Sequence, residues 1–98
     1  MANYVLSELA RQDIVSIRDY TLDTWGHEQV EKYLSQLEQR LEWLAENPKS
    51  GKKREDVKEG YRSYPEGCHV VFYRISEDGI EVIGLIHQSE DIEQHFSE

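Results

Sequence analysis

The stretch from Gly60 to His87 constrains the fold of this chain more than any other. It alternates runs of β-branched and aromatic residues with two turn signals, one near Pro65 and one ending in Asp78-Gly79. An Asp-Gly pair favours a tight hairpin, because glycine tolerates the positive φ that twist-matched turns require. We therefore predict a meander of three antiparallel strands. These strands cover residues 61–64, 69–75 and 80–87.

Two residues within this meander need separate interpretation. Gly84 interrupts the last strand, and a glycine there marks a β-bulge, a close approach or a lost side chain. Cys68, the single cysteine, stands at the entry to the middle strand and is predicted to be a small core residue. One cysteine excludes an internal disulfide framework and fits a reducing compartment.

Two amphipathic helices precede the meander. Ser7 occupies the N-cap position of the first helix, which should end near Thr24 and be followed by Gly26. The second begins near His27 and stops at Asn47-Pro48, because a residue before proline is disfavoured in helical space. The apolar stripes are Leu6, Ala10, Ile14, Ile17, Thr21 and Trp25 on the first helix, and Val30, Leu34, Leu37, Leu41 and Leu44 on the second. With so short a connection the helices form an antiparallel hairpin whose stripes face the sheet, so Trp25 is predicted to be core.

The ends of the chain complete the predicted architecture. Asn3 to Leu6 reads as a short strand, and Ile92 and Phe96 indicate a short final helix that docks by a four-residue step. A loop from Lys49 to Glu59 joins the hairpin to the meander. The expected order is β-α-α-β-β-β-α, an α+β fold in which the hairpin packs on one sheet face, and residues 1–98 form a single domain.

Charge restricts the possible functions. The formal net charge is −9, and an acidic chain repels nucleic acid, so no direct nucleic-acid binding is expected from the protein alone. Without a signal peptide or a long apolar span, we expect a cytoplasmic protein with no membrane association. The cations gather in one region, which is either a solvated loop or a basic edge that meets an acidic partner. They are Lys49, Lys52, Lys53, Arg54, Lys58 and Arg62.

Motifs for catalysis, metal binding or cofactor binding are not found. His87, Asp91 and His95 share a face only if one helix carries all three, and tetrahedral metal sites usually have tighter groups of ligands. His87 is instead predicted to cap or pack against the final helix. No metal, cofactor or catalytic residue is therefore expected.

Three side chains are candidates for contacts with a partner. Arg62 and Arg74 suit the bidentate recognition of carboxylates, although Arg74 could equally pair with Glu81 across the Asp-Gly turn. Trp43 lies off the leucine stripe of the second helix, which makes it a candidate for an exposed aromatic contact.

The ordered set of elements carries a resemblance over nearly the whole chain. It includes Trp25-Gly26, Asn47-Pro48, Gly60-Tyr61-Arg62-Ser63, Phe72-Tyr73-Arg74 and Ile86-His87-Gln88. Together these resemble the ParE toxins of the RelE/ParE toxin–antitoxin superfamily. The resemblance implies a non-enzymatic toxin that poisons DNA gyrase and is neutralised, as a hetero-oligomer, by a ParD-like antitoxin that supplies the DNA binding. The residues proposed to contact the antitoxin or the target are Trp43, Lys52, Lys53, Arg54, Arg62, Arg74 and His87.

Two alternatives stay open. RelE-like members of the superfamily cleave messenger RNA in the ribosome, but no basic side chain follows Arg74 here and the nuclease set is not expected. ParE-like members usually carry a basic C-terminal edge, where this chain has Gly84, Ser89 and Glu90. The second alternative is therefore a degenerate, non-toxic member that still binds the antitoxin.

Overall fold

A five-stranded sheet and a helical hairpin on one of its faces make up most of the computed structural model, which describes residues 3–96. The strands are β1 (Asn3–Leu6), β2 (Lys52–Lys53), β3 (Tyr61–Glu66), β4 (His69–Ser76) and β5 (Gly79–His87). The α-helices are α1 (Glu8–Trp25), α2 (His27–Glu46) and α3 (Ile92–Phe96). The sheet order is β1-β5-β4-β3-β2, with β1 parallel to β5 and every other pair antiparallel. The α+β fold predicted from the sequence is confirmed.

Ser7 joins the first strand to the first helix as predicted. Its Oγ accepts a hydrogen bond from the Ala10 N–H at 3.0 Å, which satisfies one of the unpaired amides at the start of α1. The same hydroxyl donates to the Ile83 carbonyl at 2.7 Å. One side chain therefore caps α1 and fixes it to β5.

The meander forms as predicted, but its first turn is displaced. Glu66 pairs with His69, so the turn consists of Gly67 and Cys68, and Pro65 belongs to the strand. Cys68 is consequently exposed, and the prediction that it is a core residue is wrong. β4 begins at His69 as predicted, and Cys68 belongs to the turn before it.

The last hairpin contains the irregularity that Gly84 indicated. Phe72 pairs with Gly84 whereas Tyr73 pairs with Val82, so Ile83 is an extra residue in β5 and forms a β-bulge. At the start of the same strand, Gly79 has φ 149°, and a Cβ there would collide with the backbone of Asn3. The parallel pairing of β1 with β5 therefore requires glycine at this position.

The core lies between the hairpin and the sheet. Its members are Ala10, Ile17, Leu37, Leu41, Leu44, Ala45, Val71, Tyr73, Ile80, Val82 and Leu85. Trp25 is not among them. Its exposed fraction is 69%, so the prediction of a core tryptophan is wrong. The buried stripe of α1 ends at Ile17, and the last two turns of that helix contain no buried residue.

The segment predicted as a loop from Lys49 to Glu59 is partly regular. A 3-10 turn at Pro48–Ser50 leads into β2, which pairs Lys52 with Ser63 and Lys53 with Arg62. Sequence periodicity could not reveal a strand of two exposed lysines. Across residues 3–96, no helix is long and apolar enough to cross a membrane.

Candidate functional site

The end of the sheet at β2 collects most of the cations singled out in the sequence. Here we call Lys49, Lys52, Lys53 and Arg62 the basic edge. The 3-10 turn carries Lys49, β2 carries Lys52 and Lys53, and β3 places Arg62 directly opposite Lys53. The structure therefore brings together residues that are up to 13 positions apart in the chain.

A buried tyrosine holds the basic edge in place. The Tyr73 hydroxyl donates to the Pro48 carbonyl at 2.7 Å and accepts from the Gly51 N–H at 2.8 Å. Arg62 Nη1 donates to the Gly51 carbonyl at 2.9 Å. Burial raises the pKa of Tyr73, although the Gly51 N–H and the Arg62 charge act in the opposite direction. The phenol stays neutral at pH 7 and both of its hydrogen bonds persist.

The charges of the basic edge are only weakly balanced, since Lys52 acts on the Asp56 carboxyl, after Arg54, to lower its pKa. Lys52 and Lys53 are exposed, and among residues 3–96 no lysine has a carboxylate oxygen within 4.0 Å of its ammonium. Lys53 and Arg62 are like charges directly opposite each other, an arrangement that destabilises a sheet. Such a group attracts carboxylates or phosphates while the rest of the protein is acidic.

Arg54 directly follows the basic edge but is engaged differently. It makes two hydrogen bonds to Asp56, at 3.1 and 3.0 Å, and its guanidinium lies 5.3 Å from the centre of the Phe72 ring. The hydrogen bonding to Asp56 raises the pKa of Arg54, and the same interaction lowers the pKa of Asp56. This pair lies on the sheet face opposite the hairpin and has no free charge to offer a partner.

Arg74 is similarly paired. Its Nε donates to Glu81 Oε1 at 2.7 Å across the β4–β5 hairpin. The cross-strand ion pair that the sequence offered for Arg74 is present, and the contact of Arg74 with a partner stays a prediction. Both partners are partly exposed, so we expect this pair to contribute little to stability.

Trp43 lies on the outer side of α2 with 38% of its surface exposed. Its ring contacts Tyr64 at 5.5 Å, and the Arg40 guanidinium lies 5.1 Å from the Trp43 ring and 5.0 Å from the Tyr64 ring. Arg40 in turn forms a 2.8 Å ion pair with Glu66. Trp43 is thus partly exposed, as predicted. It lies on the hairpin side of the sheet, whereas Arg54 lies on the other side.

His87 belongs to neither surface. Its Nδ1 is 2.7 Å from Ser89 Oγ, and its ring packs edge-on against His69 at 5.6 Å, so it organises the turn before α3 rather than packing against that helix. The His69 Nδ1 is 2.7 Å from the Tyr33 hydroxyl. Burial raises the pKa of Tyr33, and burial followed by the His87 charge lowers the pKa of His69. Both side chains are therefore neutral at pH 7, which suits a packing role.

Sequence reasoning missed a buried carboxylate on α1. Asp13 Oδ2 accepts from the Leu85 N–H at 2.9 Å and lies 3.0 Å from His95 Nε2. It therefore connects α1 to both β5 and α3. The available signal was its position between Ala10 and Ile17, where a charged residue interrupts an apolar stripe.

Gly84 lies beside this carboxylate, and its missing side chain is accounted for. A Cβ at Gly84 would lie 2.7 Å from Phe96 Cε1 and 3.1 Å from Asp13 Oδ2. The Phe96 ring instead packs against Phe72 with the ring centres 5.0 Å apart. Gly84 thus allows α3 to dock on the sheet through Phe96, a contact that was predicted from the sequence.

Metal coordination finds no support in the described part of the chain, where no group of three His, Cys, Asp or Glu side chains could hold an ion. His95 Nε2 lies 3.0 Å from Asp13 Oδ2 and its Nδ1 lies 3.6 Å from Glu90 Oε2, whereas the His87 ring packs against His69.

Comparison with known proteins agrees with the fold and with the ordered motifs. Residues 4–92 match the sequence model of a family described as the ParE toxin of type II toxin–antitoxin system, parDE. This chain belongs to the ParE toxin family. It is 35% identical over 96 residues to Toxin ParE1 of Mycobacterium tuberculosis (strain H37Rv), covering 97% of this chain and 98% of that protein. It is 38% identical over 96 residues to Toxin ParE1 of Caulobacter vibrioides, covering 98% and 99%.

A solved structure supports the fold of this ParE toxin independently. A chain of the "Chromosomal ParDE TA system from P. aeruginosa" matches with a TM-score of 0.74 at 17% identity, covering 89% of this chain and 96% of the other. At that identity the match supports the fold alone. The seven residues proposed to contact a partner stay predictions, and the structure divides them between the basic edge, the Trp43 surface, two internal ion pairs and the turn before α3.

Proposed function

We propose that this ParE toxin inhibits DNA gyrase in the cytoplasm and is neutralised by a ParD-like antitoxin. The observation that carries the proposal is the match to the ParE family over residues 4–92, together with relatives named Toxin ParE1 that align along almost their whole length. The P. aeruginosa structure is described as a ParDE system, which favours a protein antitoxin as the partner.

A binding mechanism rather than a catalytic one agrees with the arrangement of charges. Cleavage of RNA through its 2′-hydroxyl needs a free cation for the phosphorane and an acid–base pair beside it. Arg40, Arg54 and Arg74 each lie within 3.0 Å of a carboxylate oxygen. The two β2 lysines form no ion pair within residues 3–96, but the β3 residues opposite them are Ser63 and Arg62. We therefore propose that the toxin is not an enzyme.

The basic edge is the surface we assign to the target. It concentrates cations on a chain of net charge −9, it is held rigid by Tyr73, and its two β2 lysines are solvent-accessible. A rigid surface loses little conformational entropy on binding. An acidic surface on gyrase, or the DNA held by gyrase, provides the complementary charge.

A plasmid cleavage assay with purified gyrase and ATP tests this proposal. Wild-type protein should accumulate linear, protein-linked plasmid, and the antitoxin encoded beside the gene should abolish that product. The double variant Lys52→Glu/Lys53→Glu should lose most of the effect. Lys32→Glu, which reverses an exposed lysine on the solvent face of α2, is the control for charge and should behave as wild type.

The outcomes separate the alternatives. A folded wild-type protein that binds the antitoxin but leaves gyrase unaffected would favour the degenerate, non-toxic member, an alternative that the resemblance raised at Gly84, where Phe96 docks. Cleavage of transcripts during translation, lost in the Lys52→Glu/Lys53→Glu variant, would contradict the non-enzymatic mechanism.

A further inference from the structure

A pocket of about 400 Å³ lies between the helical hairpin and the β3–β4 turn, outside the basic edge. Three rings line it, and we call it the aromatic pocket: Trp25 at the end of α1, Tyr20 on the same helix and Tyr33 on α2. The exposed fractions of Tyr20 and Trp25 are 67% and 69%, the highest of any large hydrophobic side chain in residues 3–96. Large exposed apolar side chains that line one pocket mark a binding site.

The wall of the aromatic pocket contains no lysine, arginine, aspartate or glutamate. Its polar groups include the Thr21 hydroxyl and the Gln29 amide, and within residues 3–96 neither makes a hydrogen bond. The Tyr33 hydroxyl is already engaged, since it lies 2.7 Å from His69 Nδ1. The pocket thus combines apolar rings with a few polar groups that a ligand can reach, which is the usual composition of a small-molecule site.

The hairpin beside this pocket is acidic, which restricts what can occupy it. The segment 19–31, which supplies most of the hairpin side of the wall, contains neither lysine nor arginine but has Asp19, Asp23, Glu28 and Glu31. The last turn of α1 has no basic residue to offset the negative end of its dipole, and the first turn of α2 has Glu28 beside its positive end. The pocket therefore repels anions and attracts cations.

We propose that the aromatic pocket binds a small organic cation with an alkylated ammonium group. The ring faces of tryptophan and tyrosine attract cations, and tryptophan does so most strongly. An alkylated ammonium also presents apolar surface to the rings, whereas an ammonium of the lysine type is strongly hydrated. A hydroxyl on the same molecule would pair with Thr21 or Gln29. The inference goes beyond the inhibition of gyrase and is independent of it, because it depends on the pocket and its charge alone.

A matched pair of probes tests the charge of the ligand. Choline and 3,3-dimethyl-1-butanol have the same shape, but only choline carries a positive charge. In a titration of the full-length protein followed by nitrogen–proton NMR, choline should shift the Trp25 indole signal with a dissociation constant of about 1 mM or below. The neutral alcohol should bind at least about tenfold more weakly. The Trp43 indole, which belongs to another surface, is the internal control and should not shift.

Substitution at Trp25 tests the role of the ring. Trp25→Leu keeps an apolar side chain but removes the aromatic face, so choline should bind about tenfold more weakly, as measured by the shifts of the Cys68 and His69 amides. Trp25→Phe keeps an aromatic face and should retain most of the affinity. Both variants should fold, because Trp25 is exposed and is not part of the core.

The thiol of Cys68 gives a second, independent measurement on the wild-type protein. Cys68 is the single cysteine of the chain, it is exposed, and it lies in the wall of the aromatic pocket. Saturating choline should therefore slow the alkylation of Cys68 by iodoacetamide. The neutral alcohol at the same concentration should leave the rate of alkylation close to that of the protein without a probe.

Four results would overturn the inference. An unchanged Trp25 signal at about 10 mM choline would exclude the site, and equal affinity for choline and the neutral alcohol would exclude the cation. Shifts of Trp25 that grow with protein concentration in the absence of a probe would assign the pocket to a second copy of the chain. Phosphatidylcholine vesicles that bind the toxin when choline does not would assign it to a membrane surface. None of these measurements involves gyrase or an antitoxin, so their failure is distinct from a failure of the proposed function.

Discussion

The two edges of the sheet differ in strand length, in residue type and in their unpaired backbone groups. At the β2 edge the last strand has only two residues, both lysines. The Arg54 N–H donates to the Tyr61 carbonyl at 2.8 Å, so Tyr61, Ser63 and Pro65 direct their backbone groups to the β2 side. Pro65 lies beyond the end of β2 and has no N–H to offer another strand. At the β1 edge, Tyr4 and Leu6 present complete backbone pairs beside an apolar groove.

This difference has a physical consequence for the partners of each edge. Short length, lysine and proline are the features by which proteins prevent strand addition, so the β2 edge is suited to contacts through side-chain charge. The β1 edge lacks these protections and is suited to backbone pairing. One sheet therefore offers two chemically different binding surfaces, and substitutions can separate what each contributes.

The largest effect is expected at Asp13, on the helix that follows the β1 edge. Asp13→Ala removes the acceptor of the Leu85 N–H and the partner of His95, and it leaves a buried amide unsatisfied. We expect a loss of about 3 kcal/mol in the free energy of unfolding. Urea denaturation followed by circular dichroism measures it.

Two further variants test whether the loss of stability is specific to the Asp13 carboxylate. Asp19→Ala, which removes an exposed carboxylate paired only with Arg18, should change stability by less than about 0.5 kcal/mol. Asp13→Asn retains an oxygen that can accept from Leu85 and should recover part of the loss. If Asp13→Ala were as stable as Asp19→Ala, the contacts of the Asp13 carboxylate with β5 and α3 would not stabilise the fold.

The next effect concerns the anchor of the basic edge. Tyr73→Phe removes the hydroxyl that bonds Pro48 and Gly51, and it should lower the free energy of unfolding by about 2 kcal/mol. Exchange of the Gly51 amide should accelerate at the same time. Tyr64→Phe is the control, because the Tyr64 hydroxyl makes no hydrogen bond within residues 3–96 and its loss should be nearly neutral. Equal losses in both variants would mean that the hydroxyl of Tyr73 is not what holds the edge.

Local patterns in the sequence were sufficient for most of the fold. The Ser7 cap, the two stripes and the Asp-Gly turn each depend on near neighbours, and all three are present in the structure. The exposure of Trp25 and Cys68 was not predictable in the same way. It depends on where the sheet ends relative to α1 and on β3 continuing to Glu66, which places the turn at Gly67 and Cys68. Periodicity gives a direction around a helix but not the extent of the surface that covers it.

The candidate site shows the same limit. The cluster of cations was visible in the sequence, but the pairing of Lys53 with Arg62 needed β2, which has no apolar pattern. The pairing of Arg54 with Asp56 was likewise not predicted, whereas the pairing of Arg74 with Glu81 was one of the two interpretations that the sequence offered. The groove beside β1 depends on contacts among three elements and could not be predicted from any one of them.

A pH measurement checks a region that belongs to neither edge. Burial, and then the His87 charge, lower the pKa of His69 below its ordinary value of 6.5, with Glu90 acting in the opposite direction. The unfolded chain therefore binds more protons between the two pKa values. Stability should be complete above pH 6.5 and fall as the pH drops through the folded pKa. His69→Gln should flatten this part of the profile, whereas His27→Gln, at an exposed histidine, should leave it unchanged. If both variants showed the same slope, titratable groups other than His69 would cause the pH dependence of stability.

The smallest effect on stability is expected at Lys53 in the basic edge. Lys53→Glu replaces a repulsion opposite Arg62 with an attraction, so the free energy of unfolding should rise by about 0.5 kcal/mol. Lys52→Glu, opposite Ser63, makes the same charge change without that partner and should be neutral. Thermal unfolding and the plasmid cleavage assay on the same preparations would measure stability and gyrase inhibition together. A Lys53→Glu protein that is more stable yet less inhibitory would mean that the repulsion is retained for binding. A destabilised variant would mean instead that Lys53 supports the fold.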